Sequence, residues 1–173
     1  MFRRTIGIGL WVGMLVSALT PGAAAGADVR IADAAMHSQR DAVRTLIQQK
    51  VDVNSTQPDG STALHWVVQH DDLDTAQLLI RAGAKADTPT RYGVTPLYLA
   101  SVTGNAAMID ALLKAGADPK SANPGGETAL MTASRTGKLD AIKLLLDRGA
   151  DPNAKENVQN PFGRKNSVLI VSA

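Results

Sequence analysis

Apolar residues recur along this chain in short runs that match two helices in every 33 residues. In each copy a first run has apolar positions spaced i, i+3, as in Leu64 with Val67, which indicates a short helix. A second run has them at i, i+3 and i+4, as in Ala76, Leu79 and Ile80, which indicates a second helix. Polar residues or glycine separate the two runs. The pattern therefore predicts a series of helix pairs.

Identical residues recur at the same place in three copies, which makes the 33-residue period a strong signal. Each copy contains a Gly-x-Thr-x-Leu string, a later leucine and a Gly-Ala pair. The strings begin at Gly60, Gly93 and Gly126. The later leucines are Leu79, Leu112 and Leu145, and the Gly-Ala pairs begin at Gly83, Gly116 and Gly149.

The residues around each helix pair fit the ends of helices. Thr62, Thr95 and Thr128 precede the first helices, where a threonine hydroxyl can cap a helix and contributes about 1 kcal/mol. Pro96 stands where the first helical residue needs a fixed φ. A glycine such as Gly83 follows each second helix, where the left-handed conformation favours glycine. We therefore expect a turn between the helices and an extended turn before the next threonine.

These strings resemble ankyrin repeats. The similarity rests on Thr-Ala-Leu-His at 62–65, Thr-Pro-Leu-Tyr-Leu-Ala at 95–100 and Leu-Leu-Asp-Arg-Gly-Ala-Asp-Pro-Asn at 145–153. The resemblance implies an all-α repeat solenoid of stacked helix-turn-helix-hairpin units, with about four repeats and a partial fifth. The family's histidine is present as His65, but later copies have Tyr98 and Met131. The expected repeats are residues 28–58, 59–91, 92–124 and 125–157.

The two ends of the array depart from the repeat pattern. Residues 28–57 keep the apolar phase but lack the glycine and threonine signals, so we interpret them as an atypical N-terminal repeat. Residues 158–173 predict an extended hairpin and a partial C-terminal repeat, since residues 166–173 match residues 127–134 after a six-residue shift. A fifth repeat without its second helix would expose the apolar flank of repeat four.

Residues 1–27 have the layout of a secretory signal peptide. Arg3 and Arg4 precede an uncharged run from 6 to 19, and small residues follow, which allow cleavage after Ala25 or Ala27. The run is shorter than the roughly 20 apolar residues that a membrane-spanning helix needs. We therefore expect a periplasmic or secreted protein, with an uncleaved membrane anchor as the alternative.

Composition and charge exclude several classes of protein. The 173 residues include 18 Lys and Arg against 16 Asp and Glu, and without Arg3 and Arg4 the two signs balance. This balance argues against a nucleic-acid partner, which calls for clustered basic residues. The chain has no cysteine, so disulfides, thiolate metal sites and cysteine nucleophiles are excluded.

No motif predicts catalysis or a cofactor. The chain has no serine-elbow, dinucleotide-binding or phosphate-loop pattern. His37 and His70 lie one period apart, but a metal site would need further ligands. The acidic residues Asp71, Asp72 and Asp74 are explained by the start of a helix. We expect neither an enzyme nor a bound cofactor or metal.

The ankyrin resemblance implies that a protein partner docks on the concave face, at the hairpin tips and along the first helices. Tyr92 and Arg91 are the strongest candidates, because tyrosine and arginine often dominate binding energy. We expect Trp66 to pack between helices, whereas Tyr98 fits either role. The candidate partner-binding residues are Asp59, Ser61, Gln69, His70, Arg91, Tyr92, Val94, Val102, Thr103, Glu127, Arg135 and Thr136.

Three functional hypotheses follow from these observations. The first is an exported module that binds a protein partner through its concave helix and hairpin face, as an accessory or protective adaptor. The second is a structural scaffold that residues 1–27 anchor to a membrane and that faces the periplasm. The third, a hydrolase or metal enzyme that uses His37, His65 and His70, is disfavoured because the motifs for it are missing.

Overall fold

The computed structural model describes residues 28–156, where eight α-helices follow one another without a strand. Two helices in each of four units confirm the predicted all-α repeat fold. The predicted signal peptide and C-terminal partial repeat, at 1–27 and 158–173, lie outside the described residues. The helices are α1 (Arg30–Met36), α2 (Arg40–Gln48), α3 (Ala63–Gln69), α4 (Leu73–Arg81), α5 (Pro96–Thr103), α6 (Ala106–Lys114), α7 (Ala129–Arg135) and α8 (Leu139–Asp147).

The helices form two layers. The first helices of the repeats, α1, α3, α5 and α7, pack side by side, and the second helices, α2, α4, α6 and α8, form the other layer. Helices of seven to nine residues are too short to be stable alone, so burial of their apolar faces between the layers holds them. The core is built from the repeated apolar positions, which include the fully buried Ile31, Leu64, Leu79, Leu112, Leu130 and Leu145.

The capping residues predicted from the sequence begin the first helices. The Thr95 hydroxyl accepts the N–H of Tyr98 at 3.2 Å, and Thr128 does the same for Met131 at 3.3 Å. Pro96 is the first residue of α5, where its missing N–H would have no helical partner. Helices α5 and α7 therefore start at a fixed place after their hairpins.

The ends of the second helices explain how repeat one fits without the glycine signal. Gly83, Gly116 and Gly149 follow α4, α6 and α8 with φ of 94°, 96° and 88°, as the sequence predicts. At the same place after α2 stands Lys50, with φ of 57°. The left-handed conformation costs a non-glycine residue about 1–2 kcal/mol, so repeat one makes this turn at a cost that the glycines of the later repeats avoid.

Candidate protein-binding surface

Three hairpin turns lie beside the first helices and form, with the adjacent side chains of those helices, the surface that we call the inner face. The turns span residues 57–61, 90–94 and 123–127. Each is closed by a backbone hydrogen bond of 2.8–3.0 Å from its first to its last residue. The Arg91 N–H donates to the Asp59 carbonyl at 2.9 Å, which ties the second tip to the first. The inner face therefore contains the hairpin tips and first helices where the family resemblance implies that a partner docks.

A polar cluster occupies the N-terminal part of the inner face. The Gln57 amide donates to the Asp33 carboxylate at 2.6 Å, and its oxygen accepts the Trp66 indole N–H at 2.7 Å. Trp66 is half-buried and packs against the core, in agreement with its predicted place between helices. These bonds fix the indole, so that only part of its ring is left for a partner.

A second polar cluster occupies the C-terminal part. The Glu127 carboxylate accepts hydrogen bonds from the Tyr98 hydroxyl at 3.2 Å, from Thr132 at 3.0 Å and from Arg135 at 2.6 Å. Arg135 also donates to Glu156 at 2.5 Å. Burial of Tyr98, with the negative charge of Glu127 beside it, raises the pKa of the Tyr98 phenol. Tyr98, which the sequence left open between two roles, thus belongs to this network.

Between these clusters lies an apolar region that we call the central patch, formed by Tyr92, Leu99 and Val102. Tyr92 stands at the tip of the second hairpin with 75% of its surface exposed, and Val102 on α5 is 47% exposed. Leu99 is half-buried and lies one helical turn before Val102, so the two share a face of α5. The only hydrogen bond recorded for Tyr92 in the described part of the chain is made by its backbone N–H to Thr90.

His65 joins repeat two to the next hairpin. Its ring is buried, with Nδ1 next to the Thr62 N–H at 3.1 Å and Nε2 3.1 Å from the Val94 carbonyl oxygen. Because Nδ1 accepts from a backbone N–H, the neutral ring donates from Nε2. Burial lowers the pKa of the imidazole below its usual 6.5, although the bond to Val94 opposes this.

The predicted partner-binding residues do not all present free side chains. Ser61 is buried, and its hydroxyl and N–H both donate to the half-buried Asp59 carboxylate. The His70 ring lies 3.1 Å from the Ser38 hydroxyl of the preceding turn. Thr103 and Thr136 bond to backbone carbonyls of their own repeats, and Glu127 belongs to the second polar cluster. Those exposed at the surface are Gln69, His70, Arg91, Tyr92, Val102, Arg135 and Thr136, and those half-buried are Asp59, Val94, Thr103 and Glu127.

Asp72 caps the start of α4 and Asp74 lies in its first turn, as predicted, whereas Asp71 bonds to the next repeat. The Asp72 carboxylate accepts the Thr75 N–H at 3.3 Å and pairs with Arg40 at 2.7 Å, and Asp71 accepts from Asn105 at 2.7 Å. Across residues 28–156 no three His, Asp or Glu side chains are grouped so that they could hold a metal ion. None of the helices in that range is long and apolar enough to cross a membrane.

Comparison with known families and proteins identifies the repeats directly. A model described as "Ankyrin repeats (3 copies)" matches residues 31–123, and one described as "Ankyrin repeat" matches residues 125–157. The first match includes the atypical N-terminal repeat, whose two helices the structure also contains. The two matched ranges together extend over most of the chain.

Three proteins that resemble this chain share only short stretches with it. The "Ankyrin repeat and LEM domain-containing protein 1 homolog" of Caenorhabditis elegans is 38% identical over 60 residues, which are 35% of this chain and 8% of that protein. "Neurogenic locus notch homolog protein 1" is 36% identical over 58 residues in Xenopus tropicalis and 38% over 55 in Homo sapiens. These stretches cover 34% and 32% of this chain and 2% of each Notch protein, so this chain spans less than a tenth of each relative.

Proposed function

Because this chain belongs to the ankyrin repeat family, we propose that it is an exported interaction module that binds a protein partner through its inner face. Repeats of this kind stack into an extended open surface rather than around a closed chamber. Its role is that of an accessory or protective adaptor outside the cytoplasm.

The central patch is the observation that carries this proposal. Tyr92 and Val102 expose large apolar surfaces on the same side of repeat three. In the isolated chain these surfaces face water and add no hydrophobic stabilisation. The side chains at the two clusters beside it are already hydrogen-bonded to one another. A partner that covers the central patch can therefore gain apolar burial without breaking those bonds.

Arg91 gives the patch a polar anchor at its edge. Its side chain is exposed, and within residues 28–156 it forms no hydrogen bond or ion pair. Arginine and tyrosine that stand together at the centre of a protein interface often contribute most of the binding energy. The mixed charge of the neighbouring tips, with Asp59 and Glu127 on either side of Arg91, favours a protein over a polyanion.

The export part of the proposal rests on the sequence of residues 1–27. The two arginines, the uncharged run and the small residues at 23–27 support a signal that is removed during secretion. The mass of the mature protein tests this part by itself. A mature chain that starts at Gly26 or Asp28 supports export, whereas retention of residues 1–27 in a membrane fraction would favour the anchored scaffold.

Capture of the partner from the native compartment, followed by binding measurements with the purified pair, tests the surface. We expect the Arg91→Ala, Tyr92→Ala double variant to bind at least about thirtyfold more weakly, which is the loss expected for hot-spot residues. Arg81→Ala is the matched control, because Arg81 is also exposed but lies on the second-helix layer. Unchanged affinity of the double variant, with folding intact, would place the interface elsewhere.

A further inference from the structure

Repeat four has a flank that faces away from repeat three, which we call the terminal flank. It is formed by Ser134 of α7 and by Leu139, Ile142 and Leu146 of α8. The orientation follows from repeat one, where the equivalent Ala35 and Val43 line one small cavity together with Val67 and Thr75 of repeat two. The residues of the terminal flank therefore face the place where a following repeat would pack.

The α8 half of this flank is open. Leu139 is 68% exposed and Leu146 is 41% exposed. Ile142 is half-buried, although Ile109, its equivalent in repeat three, is fully buried by the repeat that follows. Within residues 28–156, no second helix therefore covers α8 in the way that α8 itself covers α6.

The α7 half is closed in comparison. Leu130 is as fully buried as Leu64 and Leu97 at the same position of earlier repeats. The Ser134 hydroxyl oxygen is also buried, and no described residue gives it a hydrogen-bond partner. At this end of the stack the first helix, α7, is covered, whereas the second helix, α8, is exposed. A segment that packs on α7 like the first helix of a further repeat, without a second helix, accounts for this difference.

The chain contains such a segment. Residues 166–173, Asn-Ser-Val-Leu-Ile-Val-Ser-Ala, carry no charge and match the start of a first helix in the register of residues 127–134. In that register Leu169 takes the position of Leu130, and Ser172 takes the position of Val67 in repeat two. We propose that residues 166–173 of the same chain pack along α7 as a terminal cap of the stack.

The geometry of the chain permits this docking. Residues 157–165 can extend to about 30 Å, whereas neighbouring helices pack about 10 Å apart. The segment is rich in β-branched residues, which are poor helix formers, so its packing on α7 must provide the stability of the helix. The stability of the cap should therefore depend on Leu169, which takes the position of Leu130 and faces α7.

Two substitutions in the full chain test the register. We expect Leu169→Thr to speed amide hydrogen exchange in α7 at least about tenfold, because it removes a buried apolar contact. Val171→Thr is the matched control and should change exchange less than about threefold. Position 171 corresponds to Thr132 on the inner face, where threonine already occurs. Equal effects of the two variants, or no effect of either, would overturn the proposal.

Crosslinking identifies the chain that supplies the cap. The protein has no cysteine, so the Ser134→Cys, Ser172→Cys pair introduces the only thiols. We expect rapid disulfide formation within one chain, by analogy with Ala35 and Val67, which line one cavity. The Gln48→Cys, Ser172→Cys pair should not crosslink, since Gln48 lies in repeat one. Crosslinks between chains would show that a second copy covers the flank. If the Ser134→Cys, Ser172→Cys pair forms no disulfide, the proposed cap is refuted.

Discussion

At the junction of repeats two and three a buried histidine bonds a backbone carbonyl, whereas at the next junction a half-buried tyrosine bonds a carboxylate. His65 and Tyr98 hold the same position of the repeat, and both reach the hairpin that follows. The first junction needs only a neutral ring, because its acceptor is uncharged. The second places Glu127 near the core, and the charge of that residue is balanced by Arg135.

The comparison shows that one structural task can be met by different chemistry. The histidine junction depends on burial and on a neutral imidazole, and it is therefore sensitive to protons. The tyrosine junction depends on a partly exposed network, in which water can replace a lost partner. We expect the two junctions to respond differently to substitution and to pH.

Removal of the His65 side chain should have the largest effect. His65→Ala leaves a cavity, removes the acceptor of the Thr62 N–H and leaves the Val94 carbonyl with only its bond from the Thr90 N–H. We therefore expect the free energy of unfolding to fall by about 3 kcal/mol. Urea denaturation followed by circular dichroism measures this change. His70→Ala, which changes the exposed histidine at the other end of α3, should cost no more than about 0.5 kcal/mol. Similar losses for both variants would contradict the role of His65 in the junction.

Acidification should have the next largest effect, through the histidine junction. The folded protein lowers the pKa of His65, so the unfolded chain binds the proton more readily. Stability from this group is complete above pH 6.5 and declines as the pH falls from 6.5 through the lower pKa of the folded state. We expect the urea concentration at which half of the native protein is unfolded to decrease as the pH is lowered from 7 to 5. The His65→Gln variant should lose part of this dependence, and an unchanged pH profile would refute the assignment.

Loss of the Tyr98 hydroxyl should have the smallest effect. Tyr98→Phe keeps the ring and removes one hydrogen bond to Glu127, while Thr132 and Arg135 still occupy the carboxylate. We expect a destabilisation of about 1 kcal/mol in thermal or urea unfolding. Tyr92→Phe is the control, because the exposed Tyr92 hydroxyl has no partner among residues 28–156, and it should leave stability unchanged. A loss at Tyr98 as large as that at His65 would remove the contrast between the junctions.

The sequence predicts the repeat architecture well because its signals are local. The period, the caps Thr95 and Thr128, the proline at the start of α5 and the glycines after the second helices all act within a few residues of where they stand. Even the atypical first repeat keeps its apolar phase, since Ile31 is buried like Leu64. Local rules therefore suffice for the fold.

The surface was less predictable because it depends on contacts between distant residues. Gln57 was not among the candidates, yet it links Asp33 to Trp66 across repeats one and two. Gln57 occupies the same position of the repeat as residues 90, 123 and 156, which are all polar, and this pattern could have identified it. Glu127 remains a predicted contact residue, but sequence spacing gave no sign that four side chains already donate to it.

The main helix packing in residues 28–156 joins helices of one repeat or of adjacent repeats. Heat can therefore melt the outermost repeats while those in the middle stay folded. The central patch lies in repeat three, with a neighbour on each side. On gradual heating, recognition by the module should outlast the first loss of helical signal, so that a partly melted molecule still holds its partner.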